Sequence, residues 1–313
     1  METRVFVRSG LCSRSFRREF MYSKILIPLD GSKLAEAVLP VAWTLAQDLS
    51  IPVDLLYVDD PKQPAVGAPV MPGEYLKSIA DSFGGAGAVR CVIKAGNAAA
   101  TIIEVAAAEP EMLIAIATHG YSGTKRWLLG SVAEKVLRAA ANHVLLVRPA
   151  NGAPIGAAKL TTVIVPLDGS TLAEKILPTV SELALSLNLQ VVLMRVTRRV
   201  YSAPPEGFLP VFGANAPDLK KLWAEAKAEA QQYLIEKASE LRQQGVTQVT
   251  PLVFECGTDG AAAAIIDLVK KTPESFVAMC THGESGIAKW LLGSVTERVV
   301  GHASGPVLVI RPR

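Results

Sequence analysis

Two short stretches of the chain combine residue types that can bind a phosphorylated ligand. The first is Pro-Leu-Asp-Gly-Ser, in which Asp30 follows a short apolar run. A carboxylate there can accept a hydrogen bond from a sugar hydroxyl or bind a magnesium ion. It can equally close an Asx turn or cap the next helix. The residue types alone leave both roles open.

The second stretch, Ala117–Ser131, is rich in glycine and ends where a helix is expected to begin. Glycines let backbone N–H groups approach phosphate oxygens, and a helix start adds unpaired donors and the positive end of its dipole. The stretch is neither a P-loop nor a dinucleotide fingerprint, yet it favours an anion-binding loop. Ser131 and Glu134 also match a capping box, which is a structural role compatible with phosphate contact.

Both stretches occur twice. Residues 24–40 and 162–178 share ten of seventeen positions, and residues 118–149 and 281–312 share eighteen of thirty-two. A duplication of this length indicates two whole domains rather than a solenoid. We expect domain 1 at 21–149, a small Gly- and Pro-containing linker at 150–160, and domain 2 at 161–313.

Each half alternates short apolar strands with helices. This alternation predicts a parallel sheet covered on both faces, and hence two tandem Rossmann-like α/β domains, each with a five-stranded mostly parallel sheet. The expected strands of the first half are Lys24–Leu29, Val53–Val58, Val89–Lys94, Met112–Ala117 and Val144–Val147. The expected helices are a Ser32-capped helix to Leu49, a helix near Glu74–Phe83 after a loop at Pro61–Gly73, Ala98–Ala108 and Ser131–Ala140. In the second half, Asp218–Gln243 predicts one long amphipathic helix.

The overall charge argues against a nucleic-acid partner. The formal net charge is +3, but the first twenty residues hold five arginines and two glutamates, and the remainder has 27 basic and 27 acidic residues. Nucleic-acid binders carry a basic excess on their folded part. No apolar run is long enough for a membrane span, and four cysteines without metal spacing suggest reduced thiols in the cytoplasm. We expect residues 1–20 to lie outside the fold, as a disordered or spurious extension before Met21.

The motifs of the two halves resemble those of the universal stress protein family: Pro-x-Asp-Gly-Ser after the first strand, then Gly-x9-Gly-Ser, Val-x-Glu-x-Val and a closing Val-Leu-x-x-Arg-Pro. The resemblance covers essentially all of residues 21–313, twice. ATP-binding members of that family carry Gly-x2-Gly-x9-Gly-[Ser/Thr]. The first glycine of that motif falls on Ala117 and on Cys280, and neither is a glycine.

The resemblance implies a role for each matching residue. Asp30 and Asp168 would contact ribose or a metal ion, and Val58 and Val196 would pack on adenine. The full set of candidate nucleotide-binding residues is Asp30, Val58, Ile116, Ala117, His119, Gly120, Gly123, Gly130, Ser131 and Val132 in the first half, and Asp168, Val196, Met279, Cys280, His282, Gly283, Gly286, Gly293, Ser294 and Val295 in the second.

Some of these residues have a competing interpretation. His119 and His282 could contact phosphate, although ordering of the loop is the commoner role for such a histidine. Cys280 could crowd a nucleotide in the second half, and Glu284 places a negative charge in its loop where the first half has Tyr121. These differences favour nucleotide binding by the first half.

The resemblance predicts a cytoplasmic ATP-binding protein of stress response or regulation. The nucleotide would be ATP, ADP or AMP, with Mg²⁺ entering through it, and a regulatory protein would be the partner. The fifth strands of the two domains would pair, making the chain an internal pseudo-dimer that could also form a homodimer. Two alternatives remain: an interaction scaffold of the same fold that has lost nucleotide, and a slow ATPase.

Overall fold

The computed structural model describes residues 5–7, 21–60, 71–83, 88–119, 129–149, 158–198, 219–256, 260–281 and 292–311. The strands of the first half are β1 Val5–Val7, β2 Lys24–Leu29, β3 Val53–Asp59, β4 Val89–Ala95, β5 Met112–Ala117 and β6 Val144–Val147. Its α-helices are α1 Leu39–Asp48, α2 Pro72–Ser82, α3 Ala98–Ala107 and α4 Ser131–Ala139.

The second half repeats this order. Its strands are β7 Thr162–Pro166, β8 Gln190–Arg198, β9 Val249–Cys256, β10 Ser275–Cys280 and β11 Val307–Ile310. Its helices are α5 Thr171–Glu174, α6 Leu177–Leu187, α7 Leu219–Gln243, α8 Gly260–Lys271 and α9 Ser294–His302. The predicted alternation of strand and helix is therefore confirmed in both halves.

All eleven described strands form one sheet, in the order β1-β4-β3-β2-β5-β6-β11-β10-β7-β8-β9. Neighbours within each half pair in parallel, except β1, which runs antiparallel to β4. In each half the chain starts at a central strand, builds outward to one side, and then crosses to the other. The topological switch points lie between β2 and β5 and between β7 and β10, and ligands of doubly wound sheets bind at such points.

The two halves join through their last strands. β6 and β11 pair antiparallel, with Leu145 opposite Leu308, as expected for an internal pseudo-dimer. One apolar core lies on each face of the joined sheet and draws residues from both halves. Helices α1, α2, α6 and α7 cover one face, and α3, α4, α8 and α9 cover the other.

The structure differs from expectation at several element ends. Residues 5–7, from the segment expected to lie outside the fold, form an edge strand on β4. Helix α2 begins at Pro72, inside the predicted loop, because proline is well suited to the first turn of a helix. Ser32 caps its helix as predicted, since its Oγ accepts from the N–H of Ala35 at 3.1 Å, but the first turn is a 3-10 turn, Ala35–Val38.

Candidate functional site

The two candidate stretches meet at one edge of the sheet in each half. Asp30 follows β2 directly, and Thr118 and His119 follow β5, which is the hydrogen-bonded neighbour of β2. Parallel neighbours end at the same edge, so the carboxylate and the glycine-rich stretch lie side by side. Asp168 after β7 and Thr281 after β10 repeat the arrangement.

Each aspartate is held by an Asx turn. The Oδ1 atom of Asp30 accepts from the N–H of Ser32 at 2.9 Å, and Oδ1 of Asp168 accepts from Ser170 at 2.9 Å. The glycines between them have φ of +87° at Gly31 and +94° at Gly169, a region that favours glycine. The structural role considered for the Asp-Gly-Ser sequence is therefore present. It also fixes both carboxylates at the sheet edge.

The glycine-rich loop is closed at its base by backbone hydrogen bonds. The N–H of Gly130 donates to the carbonyl of Thr118 at 2.7 Å, and Gly293 donates to Thr281 at 2.9 Å. A Cβ atom at position 130 would lie 3.0 Å from the Thr118 oxygen, so the close approach needs glycine. Both loops thus leave and re-enter the fold at one point beside the aspartate.

The helices after these loops begin without a side-chain cap. The N-cap residues are Gly130 for α4 and Gly293 for α9, and as glycines they supply no side-chain cap. The predicted capping box is therefore wrong: Ser131 is the first helical residue, and Glu134 pairs with Arg138 at 3.0 Å. The amide donors of an uncapped first turn need another acceptor, such as water or an anion.

Apolar candidates gather on one face of the sheet near this edge. Val58 and Val132 are half-buried and pack against the core on the face of the sheet that also contains Ile116. In the second half, Val196 packs against the same core, which also contains Met279. Val295 is 36% exposed and stands apart from that core. Each site therefore has an apolar wall on one side of its polar groups.

His119 combines a loop-ordering contact with a buried nitrogen. Its Nδ1 lies 3.0 Å from the hydroxyl of Thr118, the structural role considered for it. Its Nε2 atom is buried, and among the described residues it has no hydrogen-bond partner. A buried ring nitrogen normally has a partner, so Nε2 is suited to a ligand atom or water.

Ala117 and Cys280, which replace the first glycine of the family motif, both lie in the core on the opposite face. Cys280 is 5% exposed, and its thiol lies 3.6 Å from the carbonyl of Ala173 in α5. Burial is the main cause that raises the pKa of this thiol to about 12. The sulfur is therefore directed toward α5.

A tyrosine that the sequence analysis missed lies beside each Asx turn. Tyr233 of α7 donates to Glu174 of α5 at 2.9 Å, and Tyr75 of α2 donates to Glu36 at 3.4 Å. Burial, followed by the influence of these glutamates, raises the pKa of both phenols. These hydrogen bonds link α2 to the segment after β2, and α7 to the segment after β7. Because the helices differ in length, only three-dimensional contact reveals the equivalence of Tyr75 and Tyr233.

Some predicted positions lie outside the described residues: Gly120, Gly123, His282, Gly283 and Gly286. In the described ranges, no cluster of three or more His, Cys, Asp or Glu side chains could hold a metal ion.

The sequence of each half matches one family model. The model of the universal stress protein family matches residues 21–148 and again 159–311. The chain belongs to the universal stress protein family. The universal stress protein MJ0531 of Methanocaldococcus jannaschii is 33% identical over 146 residues, which cover 42% of this chain and 84% of that protein.

Solved structures share the tandem fold. A universal stress protein of Archaeoglobus fulgidus is 16% identical with a TM-score of 0.60, covering 93% of this chain and 97% of its own. A protein of Pseudomonas aeruginosa PAO1, described as functionally unknown, is 16% identical with a TM-score of 0.64 and 93% coverage of both chains. At this identity the likeness supports the two-domain fold alone. Within the described part of this universal stress protein, none of the helices is both long and apolar enough to cross a membrane.

Proposed function

We propose that each domain of this protein binds an adenine nucleotide, ATP or its products ADP and AMP, at the edge where β2 and β5, or β7 and β10, end. The ribose would contact Asp30 or Asp168, and the phosphates would lie at the start of α4 or α9. Adenine would pack on Val58 or Val196.

One observation carries this proposal: a fixed carboxylate and an uncapped, glycine-led helix start occupy the switch point of both domains. Asp30 is held by its Asx turn, and Gly130 is held against Thr118 at 2.7 Å. A sugar hydroxyl suits the carboxylate, and a phosphate suits the backbone amides. A nucleotide is the common ligand class that presents both groups at once.

Two further features support a nucleotide at the first site. The buried Nε2 of His119 offers a group for phosphate beside the glycine loop. The half-buried Val58 and Val132 form an apolar wall of the kind that packs on a base. The residues at the missing glycine, Ala117 and Cys280, lie in the core, so the case for a nucleotide-free scaffold loses its steric support.

Membership of the universal stress protein family extends the proposal to regulation. Nucleotide binding would serve a cytoplasmic stress response, signalled through a regulatory protein partner and, as an alternative, accompanied by slow ATP hydrolysis. A measurement of phosphate released from bound ATP distinguishes a nucleotide-binding protein from a slow ATPase.

Titration calorimetry with ATP and Mg²⁺ tests the ribose contact. Asp30→Asn keeps an acceptor for the Asx turn but removes the charge, and the Asp30→Asn/Asp168→Asn double variant removes it from both sites. A hydrogen bond to a charged group contributes about 1.5–3 kcal/mol, so affinity should fall roughly 10-fold or more. Asp48→Asn, at an exposed helix end, is the matched control and should bind normally.

The outcomes are distinct. Wild-type affinity in the double Asn variant would contradict the ribose role of the aspartates. Wild-type protein that binds no adenine nucleotide at millimolar concentration would contradict the proposed function as a whole.

A further inference from the structure

The two sites differ in one charged side chain next to the aspartate. Strand β8 carries Arg195 where strand β3 carries Tyr57; Tyr57 pairs with Leu29, and Arg195 occupies the same register beside Leu167. Tyr57 is a buried, neutral ring, 5% exposed. At this position the second site therefore holds a cation, and the first site holds a neutral ring.

The guanidinium of Arg195 lies against the Asx turn of the second site. Its Nη2 atom is 3.0 Å from the position that a Cβ on Gly169 would take, and Gly169 directly follows Asp168. The bare glycine thus makes room for the guanidinium within one residue of the carboxylate. A sugar hydroxyl bound by Asp168 would therefore lie near Arg195.

A fixed geometry holds Arg195 in this place. The guanidinium carbon lies 4.9 Å from the ring centroid of Tyr233, and the hydroxyl of Tyr233 is held by Glu174 at 2.9 Å. A guanidinium that lies over an aromatic ring can still donate N–H groups to a carboxylate or a phosphate. The contact with Tyr233 therefore restrains Arg195 without using up its hydrogen-bond donors.

The two glutamates near this cation neutralise it only weakly. Glu229 lies 3.8 Å from Nη2, and the side chain of Glu229 is 76% exposed, so the attraction is largely screened by water. The other nearby glutamate, Glu174, is already paired with Lys237 at 3.1 Å. In the first domain the equivalent strand end is acidic instead, with Asp59 and Asp60 where the second has Thr197 and Arg198.

We infer that the second domain selects an adenine nucleotide whose ribose carries an additional phosphate on its 2′ or 3′ hydroxyl. Asp168 would accept the remaining hydroxyl, and Arg195 would bind the phosphate. This is the same logic by which an arginine beside the ribose acidic residue accommodates a 2′-phosphate in dinucleotide-binding domains. The first domain, with Tyr57, would prefer an unmodified ribose. This inference rests on the proposed function.

Calorimetry on the full chain tests the selection. A Gly130→Ala background weakens the first site, so that the titration reports the second. AMP is compared with adenosine 3′,5′-bisphosphate and adenosine 2′,5′-bisphosphate. We expect at least one bisphosphate to bind about tenfold more tightly than AMP, because the added contact is charge-assisted.

Two variants assign this preference. Arg195→Tyr, the residue of the first domain, should bring the ratio of bisphosphate to AMP affinity close to one. Arg195→Lys keeps the charge without the planar fork and should retain an intermediate ratio. It also supplies the test if Arg195→Tyr fails to fold.

The failures can be told apart. If AMP binds and neither bisphosphate binds better, or if Arg195→Tyr leaves the ratio unchanged, the selection is wrong while nucleotide binding stands. If neither AMP nor a bisphosphate binds, the proposed function itself fails.

Discussion

Replacing Gly130 by alanine probes the closest backbone contact of the first site. The new Cβ would lie 3.0 Å from the carbonyl oxygen of Thr118, about 0.4 Å inside ordinary van der Waals contact, and this atom belongs to the backbone. The φ of Gly130 is −60°, so alanine adds no backbone strain and acts by crowding alone. The loop base and the start of α4 must move apart.

The expected cost follows from the contacts that move. Overpacking of a tight site costs about 1–3 kcal/mol, and the 2.7 Å hydrogen bond from Gly130 to Thr118 would lengthen. If one amide contact to phosphate is lost with it, ATP affinity at this site should fall about tenfold or more. The second site, with its own Gly293, should keep its affinity.

Two-site titration calorimetry measures this change, and circular dichroism on the same samples reports folding. Gly73→Ala is the matched control: it makes the same chemical change in the same domain, and its Cβ would meet only Ile93 at an ordinary 3.7 Å. We expect Gly73→Ala to bind ATP like the wild type. Equal affinities for Gly130→Ala and Gly73→Ala would refute the placement of phosphate at the loop base.

Three other predictions concern the scaffold. Asp54 is 2% exposed and accepts a hydrogen bond from Arg90 at 2.9 Å, so Asp54→Val should lower the free energy of unfolding in urea by about 2 kcal/mol. Adding Arg90→Thr, which copies the Val192–Thr250 pair of the second half, should recover most of this loss. If it recovers none, the ion-pair explanation is wrong. Burial raises the pKa of the Cys280 thiol from 9.0 to about 12. The contribution of this buried neutral thiol to the free energy of unfolding is therefore complete below pH 9 and declines as the pH rises toward 12. The free-energy difference between wild type and Cys280→Ala should show this decline, and a flat difference would contradict it. Of the described residues, a chain that starts at Met21 lacks just the three-residue edge strand β1. Its melting temperature should therefore stay within roughly 2 °C of the wild type and its ATP affinity should be unchanged, whereas a fall of many degrees would give β1 a larger role.

The sequence was sufficient for the order of elements, because each strand is a short apolar run between turn residues. Lys24–Leu29 and Met112–Ala117 were predicted to the residue. The duplication then placed the switch point twice, at Asp30 and Asp168. The pairing of the last strands was expected only from the family resemblance, since spacing along the chain does not determine which sheet edges meet.

Parts of the site depended on contacts that no spacing reveals. Tyr75 and Tyr233 lie at different distances from the starts of their repeats. The equivalence of their hydrogen bonds, to Glu36 and to Glu174, is therefore visible only in the three-dimensional structure. The direction of the Cys280 side chain is a second feature of this kind. Its position beside the loop suggested crowding, but alternation along β10 turns the thiol into the core.

The central claim, that both domains hold an adenine nucleotide, is tested most directly by what the purified protein carries. The full chain is saturated with ATP and Mg²⁺, freed of unbound nucleotide, denatured, and the released nucleotide is identified by mass and counted per chain. The account predicts adenine nucleotide approaching two per chain, falling to about one in Gly130→Ala because that variant weakens only the first site. Wild-type protein that retains no nucleotide, or only one per chain, under these conditions would contradict it.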